Sequence, residues 1–210
     1  MLTLNWSLLS AFIPTFFVVS ITPGMCMTLA LSMGITIVVR RALWMMAGEL
    51  AGVAVVATSA AVGVAAFMLK YPTAFDLFKY AGGAYLAWLG VQMWRSKGRM
   101  AMPEEEDLSA RQASRLQLAA QGFVTAIANP KGWAFFVALL PPFIDSELPM
   151  ASQLTALILI ILALEFLCLQ IYAHGGKGLR LALRRGGGVR MVNRVAGSLM
   201  VLVGVWLAFG

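Results

Sequence analysis

The stretch that decides the fold is residues 8–39, LLSAFIPTFFVVSITPGMCMTLALSMGITIVV, which contains no charged side chain. A helix of about 20 apolar residues spans a bilayer, so this segment is long enough to cross a membrane. Thr22-Pro23-Gly24 interrupts it near the middle. Because proline removes a hydrogen bond and glycine destabilises a helix interior, we expect two half-helices that meet inside the membrane.

Five more apolar segments follow along the chain, and the composition of the whole protein fits a membrane environment. Hydrophobic residues make up 60% of the 210 residues and charged residues 12%, whereas soluble domains carry about 25% charged residues. We therefore predict an all-α, polytopic membrane protein with six transmembrane helices, of which the first and fourth are broken. The five later segments are residues 42–68, 78–94, 116–143, 151–173 and 195–209.

The basic residues are distributed unevenly between the loops. The chain carries 16 lysines and arginines and a formal net charge of +7. Thirteen of them follow the first, third or fifth segment, two follow the second or fourth, and Lys131 lies within a segment. Since cytoplasmic loops are enriched in Lys and Arg, this asymmetry predicts that both termini lie outside, which means in the periplasm if the membrane is a bacterial inner (plasma) membrane. No nucleic-acid motif accompanies the positive charge, so we expect no nucleic-acid partner.

Three features of the first half recur in the second half in the same order. They are an interrupted apolar segment, a glutamate within an apolar run, and a basic residue followed by one other residue and Ala-Gly. The members of each pair are 107, 116 and 115 residues apart. The pairs are Thr22-Pro23-Gly24 with Asn129-Pro130-Lys131, Glu49 with Glu165, and Lys79-Tyr80-Ala81-Gly82 with Arg194-Val195-Ala196-Gly197.

Each half contains three spans, an odd number, so the second half must enter the membrane from the opposite side. This arrangement is a 3+3 inverted repeat of residues 1–95 and 116–210, joined by a cytoplasmic linker at 96–115. A second cytoplasmic loop is expected at Gly175 to Arg190, which is rich in glycine and arginine. Paired interrupted segments at matching positions in two such halves indicate the substrate site of a secondary transporter.

Each interruption is predicted to end one half-helix and begin another. Thr22 and Asn129 are residue types favoured at helix N-caps, and the proline after each is favoured at the first helical position. A helix N-terminus exposes unpaired N–H groups and a partial positive charge, which suit a substrate carboxylate. Ordinary proline kinks are the structural alternative. The residues of the breaks predicted to bind substrate are Thr22, Pro23, Gly24, Asn129, Pro130 and Lys131, the last of which adds a full positive charge.

The two glutamates within apolar runs are the other candidate substrate-binding residues. A carboxylate at the centre of a bilayer costs about 2.5–3.5 kcal/mol, so it usually faces a cavity or a partner. Glu49 lies between Gly48 and Gly52, which allow a neighbouring helix to approach closely. Glu49 and Glu165 are each expected to bind a substrate ammonium group or to carry a coupling proton, and Glu49 is the stronger candidate. A structural ion pair is the alternative.

Other chemistries find less support in the sequence. The chain contains one histidine, His174, and no Gly-rich phosphate loop, metal-ligand cluster or Ser-His-Asp set. We therefore expect no enzyme activity, no cofactor and no bound metal. A divalent metal-cation exporter stays open as an alternative, although only two acids lie within the apolar segments. A membrane thiol–disulfide carrier would need Cys26 and Cys168 to meet, and these cysteines do not occupy equivalent places in the two halves.

Several short motifs along the chain also match a pattern found in one family of transporters. They are Thr22-Pro23-Gly24, then Phe78-Lys79-Tyr80-Ala81-Gly82-Gly83-Ala84-Tyr85-Leu86 with Gly90, Gly122-Phe123, Asn129-Pro130-Lys131, Phe135-Phe136, Leu140-Pro141, Phe143 and Asp145. In these motifs the chain resembles the lysine exporter (LysE) family of translocators, which includes the threonine, homoserine and leucine exporters. The resemblance covers nearly the whole length of the chain.

This resemblance implies that the chain exports amino acids or close derivatives across the inner membrane, driven by the proton motive force. The partners that it implies are a small amino-acid substrate and the lipid bilayer. The sequence does not decide the oligomeric state, and a homodimer is left open. Two positions depart from the family pattern: Met25 stands where members often carry a second proline, and Gly132 where they often carry alanine.

Overall fold

A computed structural model describes residues 5–96, 112–145, 148–184 and 188–209, and these residues form helices and short connections with no strand among them. The all-α class predicted from the sequence is confirmed. The helices are α1 (Trp6–Ile21), α2 (Met25–Thr36), α3 (Val39–Lys70), α4 (Pro72–Arg95), α5 (Arg115–Ile127), α6 (Pro130–Leu139), α7 (Met150–Arg184) and α8 (Gly188–Phe209), with a 3₁₀ turn at Pro141–Phe143.

The breaks in the first and fourth apolar segments are present at the predicted places. The first lies between α1 and α2, and the second lies between α5 and α6. Within the described residues, two helices are long and apolar enough to cross a membrane, namely Val39–Val64 of α3 and Met150–Gly176 of α7. The pair α1 and α2, bent by 60° at its break, makes a third span if it is taken as one.

The predicted loop at Gly175 to Arg190 is wrong over most of its length. Helix α7 continues to Arg184, and α8 begins at Gly188. Gly176 has a φ of +40°, which lets the chain bend there while the leucines, alanines and arginines beyond it favour helix. The cytoplasmic linker predicted at 96–115 lies mostly outside the described residues.

Helices α4 and α8 pack closely along each other in antiparallel orientation. A β-carbon placed on Gly90 would lie 2.5 Å from the carbonyl oxygen of Gly197, and one placed on Gly204 would lie 2.5 Å from that of Gly83. The glycines are seven residues apart in each helix, so they share one face after two turns. Glycine at these positions allows the two backbones to touch, as in other membrane helix pairs.

Each broken helix packs against the long helix of the other half of the chain. Helices α5 and α6 lie on α3, and helices α1 and α2 lie on α7. Small residues again permit the contact, because the β-carbon positions at Gly48 and Gly122 abut the carbonyls of Ala119 and Met45. The two breaks are thereby brought together near the middle of the molecule.

We expect Gly90→Ala to destabilise the protein, because the added methyl group would collide with the backbone of α8. Overpacking of this kind typically costs about 1–3 kcal/mol. Gly63→Ala in α3 is the matched control, since a β-carbon there meets nothing within 4 Å. Thermal unfolding in detergent should show a lower midpoint for Gly90→Ala only. Equal midpoints for the two variants would contradict the close packing of α4 against α8.

Candidate functional site

The first break differs in detail from the sequence prediction. Thr22 is the C-cap of α1 rather than the N-cap of α2, and its hydroxyl group donates a hydrogen bond to the Val18 carbonyl at 2.8 Å. Pro23 lies in the connection and not at the first helical position, because the residue before a proline is pushed into an extended conformation. Gly24 is the N-cap of α2 and has no side chain that could cap it. The first N–H groups of α2 therefore lack the side-chain cap that the sequence predicted.

The second break confirms the sequence prediction. Asn129 is the N-cap of α6, and its side-chain oxygen accepts a hydrogen bond from the N–H of Lys131 at 3.1 Å. Pro130 occupies the first helical position. The other end of the Asn129 amide donates to the sulfur of Cys26, in the first turn of α2, at 3.6 Å. One side chain thus joins the two breaks.

Lys131 extends from the second break to the first. Its Nζ donates to the Val19 carbonyl at 3.4 Å, a long and weak hydrogen bond. It also lies 3.7 Å from a β-carbon placed on Gly24, which puts the ammonium group beside the N-terminus of α2. A cation is disfavoured at this end of a helix, because the helix dipole is positive there. Two positive features therefore converge on one point, and an anion placed between them would be stabilised by both.

Glu165 of α7 supplies a negative charge near the same break. Its carboxylate accepts a hydrogen bond from the hydroxyl group of Ser20, in the last turn of α1. The C-terminal end of a helix carries a partial negative charge, so the end of α1 and Glu165 together favour a cation. Tyr172 lies two turns beyond Glu165 on the same face of α7. Its hydroxyl group donates to the Ile21 carbonyl at 2.8 Å and holds α1 against α7.

Glu49 is placed differently from Glu165, although the two glutamates occupy matching positions in the two halves of the sequence. It is fully buried, and neither of its oxygens has a hydrogen-bond partner. Cys26 and Glu165 are the titratable side chains close enough to interact with it. A buried polar group without a partner costs free energy. Its retention here indicates either a functional role or a carboxyl group that is protonated and neutral.

A cavity of about 60 Å³, which we call the inner cavity, lies between the two breaks. Glu165, Lys131 and Cys26 all line it, whereas Glu49, which interacts with Cys26, is not among its lining residues. Its remaining wall is largely apolar. The wall residues are Phe16, Val19, Met27, Val53, Val56, Ala126, Phe135 and Phe136.

A larger cavity of about 770 Å³, which we call the vestibule, leads away from the inner cavity. Thr22, Gly24 and Lys131 line both cavities, so the breaks form the passage between them. The vestibule runs toward the C-terminal end of α4 and the N-terminal end of α8, where Ser96 and Asn193 line it. This is the end of the molecule that carries the predicted basic loops.

Sequence reasoning missed the polar residues that line these cavities. Ser20 and Cys26 lie within four residues of the first break, a proximity that could have drawn attention to them. Thr28 and Ser32 line the vestibule from α2, and Gln121 and Thr125 line it from α5. The two residues of each pair are four positions apart and therefore lie on one helical face. This spacing could have predicted a polar face on each helix.

The alternatives left open by the sequence gain no support from the geometry. Among the described residues, no group of three His, Cys, Asp or Glu side chains is placed to hold a metal ion. Cys26 and Cys168 are both buried free thiols. His174 bonds through Nδ1 to the Gln170 carbonyl of its own helix at 2.9 Å.

Comparison with known proteins decides the family. The family model for LysE type translocators matches residues 17–210. The chain belongs to this family. The translocator is 28% identical over 198 residues to the homoserine/homoserine lactone efflux protein of Salmonella typhimurium, covering 94% of each chain. It is 27% identical over 198 residues to a membrane protein of Vibrio cholerae, covering 94% of this chain and 95% of the relative.

A shorter match links the translocator to a protein named for another amino acid. It is 30% identical over 125 residues to the leucine efflux protein of Klebsiella pneumoniae, covering 60% of this chain and 58% of the relative. No solved structure matches the chain.

Asn129→Ala should destabilise the protein, because it removes the N-cap of α6 and the bond to Cys26. Loss of an N-cap side chain typically costs about 0.5–2 kcal/mol. Asn129→Ser is the matched variant, since serine can still accept the bond from the N–H of α6. Chemical unfolding in mixed micelles should rank wild type and Asn129→Ser above Asn129→Ala. If the Asn129→Ala and Asn129→Ser variants were equally stable, the capping role of Asn129 would be wrong.

Proposed function

We propose that this LysE type translocator exports amino acids or close derivatives from the cytoplasm across the bacterial inner membrane. The observation that carries the proposal is that the wall of the inner cavity contains one side chain of each charge, Lys131 and Glu165. Lys131 and the N-terminus of α2 favour an anion, and Glu165 and the C-terminus of α1, whose Val19 carbonyl accepts a hydrogen bond from Lys131, favour a cation. A free amino acid carries one group of each sign a few ångströms apart.

The substrate would lie where the inner cavity meets the vestibule, at Thr22, Gly24 and Lys131, with its two charged groups directed at the two breaks. Its carboxylate would bind the N–H groups at the start of α2 and the ammonium of Lys131. Its ammonium group would bind Glu165 and the last carbonyls of α1. The apolar wall that includes Val53 and Val56 would contact the substrate side chain.

The names of the relatives are compatible with this division of roles. One relative is named for homoserine and for its lactone, and a lactone keeps an ammonium group but has no free carboxylate. Another is named for leucine, whose side chain is apolar. A site that recognises the ammonium group through Glu165 and tolerates several side chains would accept substrates of this range.

The transport cycle would use the two halves as a 3+3 inverted repeat, residues 1–95 and 116–210. Two packing features support this arrangement. Helices α4 and α8 cross with reciprocal glycine contacts, and each broken helix packs against the long helix of the opposite half. With both termini in the periplasm, the vestibule would open to the cytoplasm and the structure would represent the inward-facing state.

Glu49 is proposed to carry the coupling proton. Its burial behind Cys26 keeps it from direct contact with the substrate, while its proximity to Glu165 lets the two carboxyls exchange a proton. A proton that moves inward across 100 mV supplies about 2.3 kcal/mol, which supports an outward gradient of substrate.

The test is efflux of labelled amino acids from preloaded proteoliposomes, with and without an imposed pH gradient. We expect efflux of neutral amino acids such as leucine or homoserine, and faster efflux when protons can move in the opposite direction. Absence of efflux for every amino acid in the panel, from protein with a native thermal transition, would contradict the proposed function.

Two variants separate the roles of the acids in the same assay. Glu165→Gln should weaken substrate affinity about ten- to a hundredfold, as expected for a lost charge-assisted hydrogen bond. Glu49→Gln should leave affinity similar but remove the acceleration by the pH gradient. Glu105→Gln, in the polar linker, is the control carboxylate and should behave as wild type. An unchanged pH dependence in Glu49→Gln would show that Glu49 does not carry the proton.

A further inference from the structure

A third cavity lies on the opposite side of the breaks from the vestibule. Its volume is about 260 Å³, and we call it the outer cavity. Pro14 and Val18 of α1 line it on one side, and Phe135 and Leu139 of α6 line it on the other. Its lining is almost entirely apolar.

Four of the six residues by which α1 and α6 line the outer cavity have repeat equivalents that line the vestibule. The two breaks are offset by 107 residues, and the same offset relates Thr28 to Phe135 and Ser32 to Leu139. It also relates Pro14 to Gln121 and Val18 to Thr125. The other two, Thr15 and Val19, correspond to Gly122 and Ala126, which do not line the vestibule. Agreement at four of six positions, between cavities lined by different pairs of helices, is what an inverted repeat would produce.

We propose that the outer cavity is the closed exit vestibule through which the exported amino acid reaches the periplasm. This inference rests on the proposed function and adds the site from which the substrate is released. In this structure the vestibule, lined by α2 and α5, is the larger cavity, and side-chain contacts between α1 and α6 keep the outer cavity small. In the outward-facing state the two pairs of helices would exchange these arrangements. The outer cavity would then widen, and the vestibule would narrow.

The outer cavity adjoins the inner cavity through shared wall residues. Val19 and Phe135 line both. A movement of the Phe135 ring would therefore connect the substrate site to the outer cavity without rearranging the charged residues. Phe16 packs against Phe135 with ring centroids 5.8 Å apart, which holds that ring in the closed position.

Contacts at the outer ends of α1 and α6 keep this passage closed. Phe12 meets Phe143 edge to face at 5.0 Å, beyond the end of α6. Asn5, the N-cap of α1, donates a hydrogen bond to the Asp145 carboxylate at 3.0 Å. Both contacts join residues of the first half to residues of the second, and both would have to break when α1 and α6 separate.

The chemical difference between the two passages suits export. The vestibule presents hydroxyl and amide groups that can bind an amino acid and its water shell. The outer cavity offers no polar partner to the ammonium and carboxylate groups of the substrate. A zwitterion would therefore be held weakly on the outer side, and weak binding favours release against a high external concentration.

Paired cysteine variants test the inference with a membrane-impermeant methanethiosulfonate. Thr125→Cys should react from the cytoplasmic side in resting vesicles. Val18→Cys should react from the periplasmic side, and about tenfold faster when leucine or homoserine is being exported, because modification needs a hydrated thiolate. Ile13→Cys, at a half-exposed position of α1 outside the outer cavity, should not respond to substrate. Wild-type protein measures the background from its two native cysteines.

A second pair, Ser32→Cys and Leu139→Cys, repeats the test if Val18→Cys fails to fold. Substrate-dependent reaction of the outer member of either pair supports the inference. If a folded variant exports its amino acid but its outer cysteine ignores substrate, the cavity is a lipid-facing groove and the inference fails while the proposed function stands. If no amino acid is exported by the wild type, both fail.

Discussion

The physical constraint on which the structure depends is that backbone polar groups cannot remain unpaired in lipid. A helix that is interrupted within the membrane frees N–H and C=O groups, and these are tolerated only where they line a cavity or meet a partner. The translocator interrupts two helices and places the interruptions face to face, joined by the hydrogen bond from Asn129 to Cys26. The inner cavity, its charged residues and its connection to the vestibule all follow from this arrangement.

The breaks also sort charge by sign. The end of α1 and the start of α2 meet at one point, so a partial negative and a partial positive charge lie within a few residues of each other. Glu165 accepts a hydrogen bond from Ser20 in the last turn of α1, so a carboxylate lies beside a helix end of its own sign. Lys131 lies beside the start of α2 and also donates to the Val19 carbonyl at the end of α1. A substrate with both charges would offer each of these side chains a partner of opposite sign.

The sequence predicted the existence of both breaks and the cap at Asn129, because proline, glycine and cap residues act locally. It failed at Thr22, where Pro23 moved the cap by two residues. The preference for Glu49 over Glu165 stays a prediction, since the burial of Glu49 behind Cys26 depends on how α2 packs against α3, which no local pattern encodes. The polar faces of α2 and α5 could have been predicted from the four-residue spacing of their polar residues. That these faces line one cavity could not, because it depends on how two distant segments pack.

The central claim is that Lys131 and the start of α2 bind the substrate carboxylate. The most direct test is equilibrium binding of leucine against leucine methyl ester, and of homoserine against its lactone, to purified wild type, Lys131→Arg and Lys131→Gln. The account predicts that wild type and Lys131→Arg bind the free acids about ten- to a hundredfold more tightly than the ester and the lactone, which lack the carboxylate, and that Lys131→Gln loses most of this preference. Equal affinity of wild type for acid and ester would contradict it.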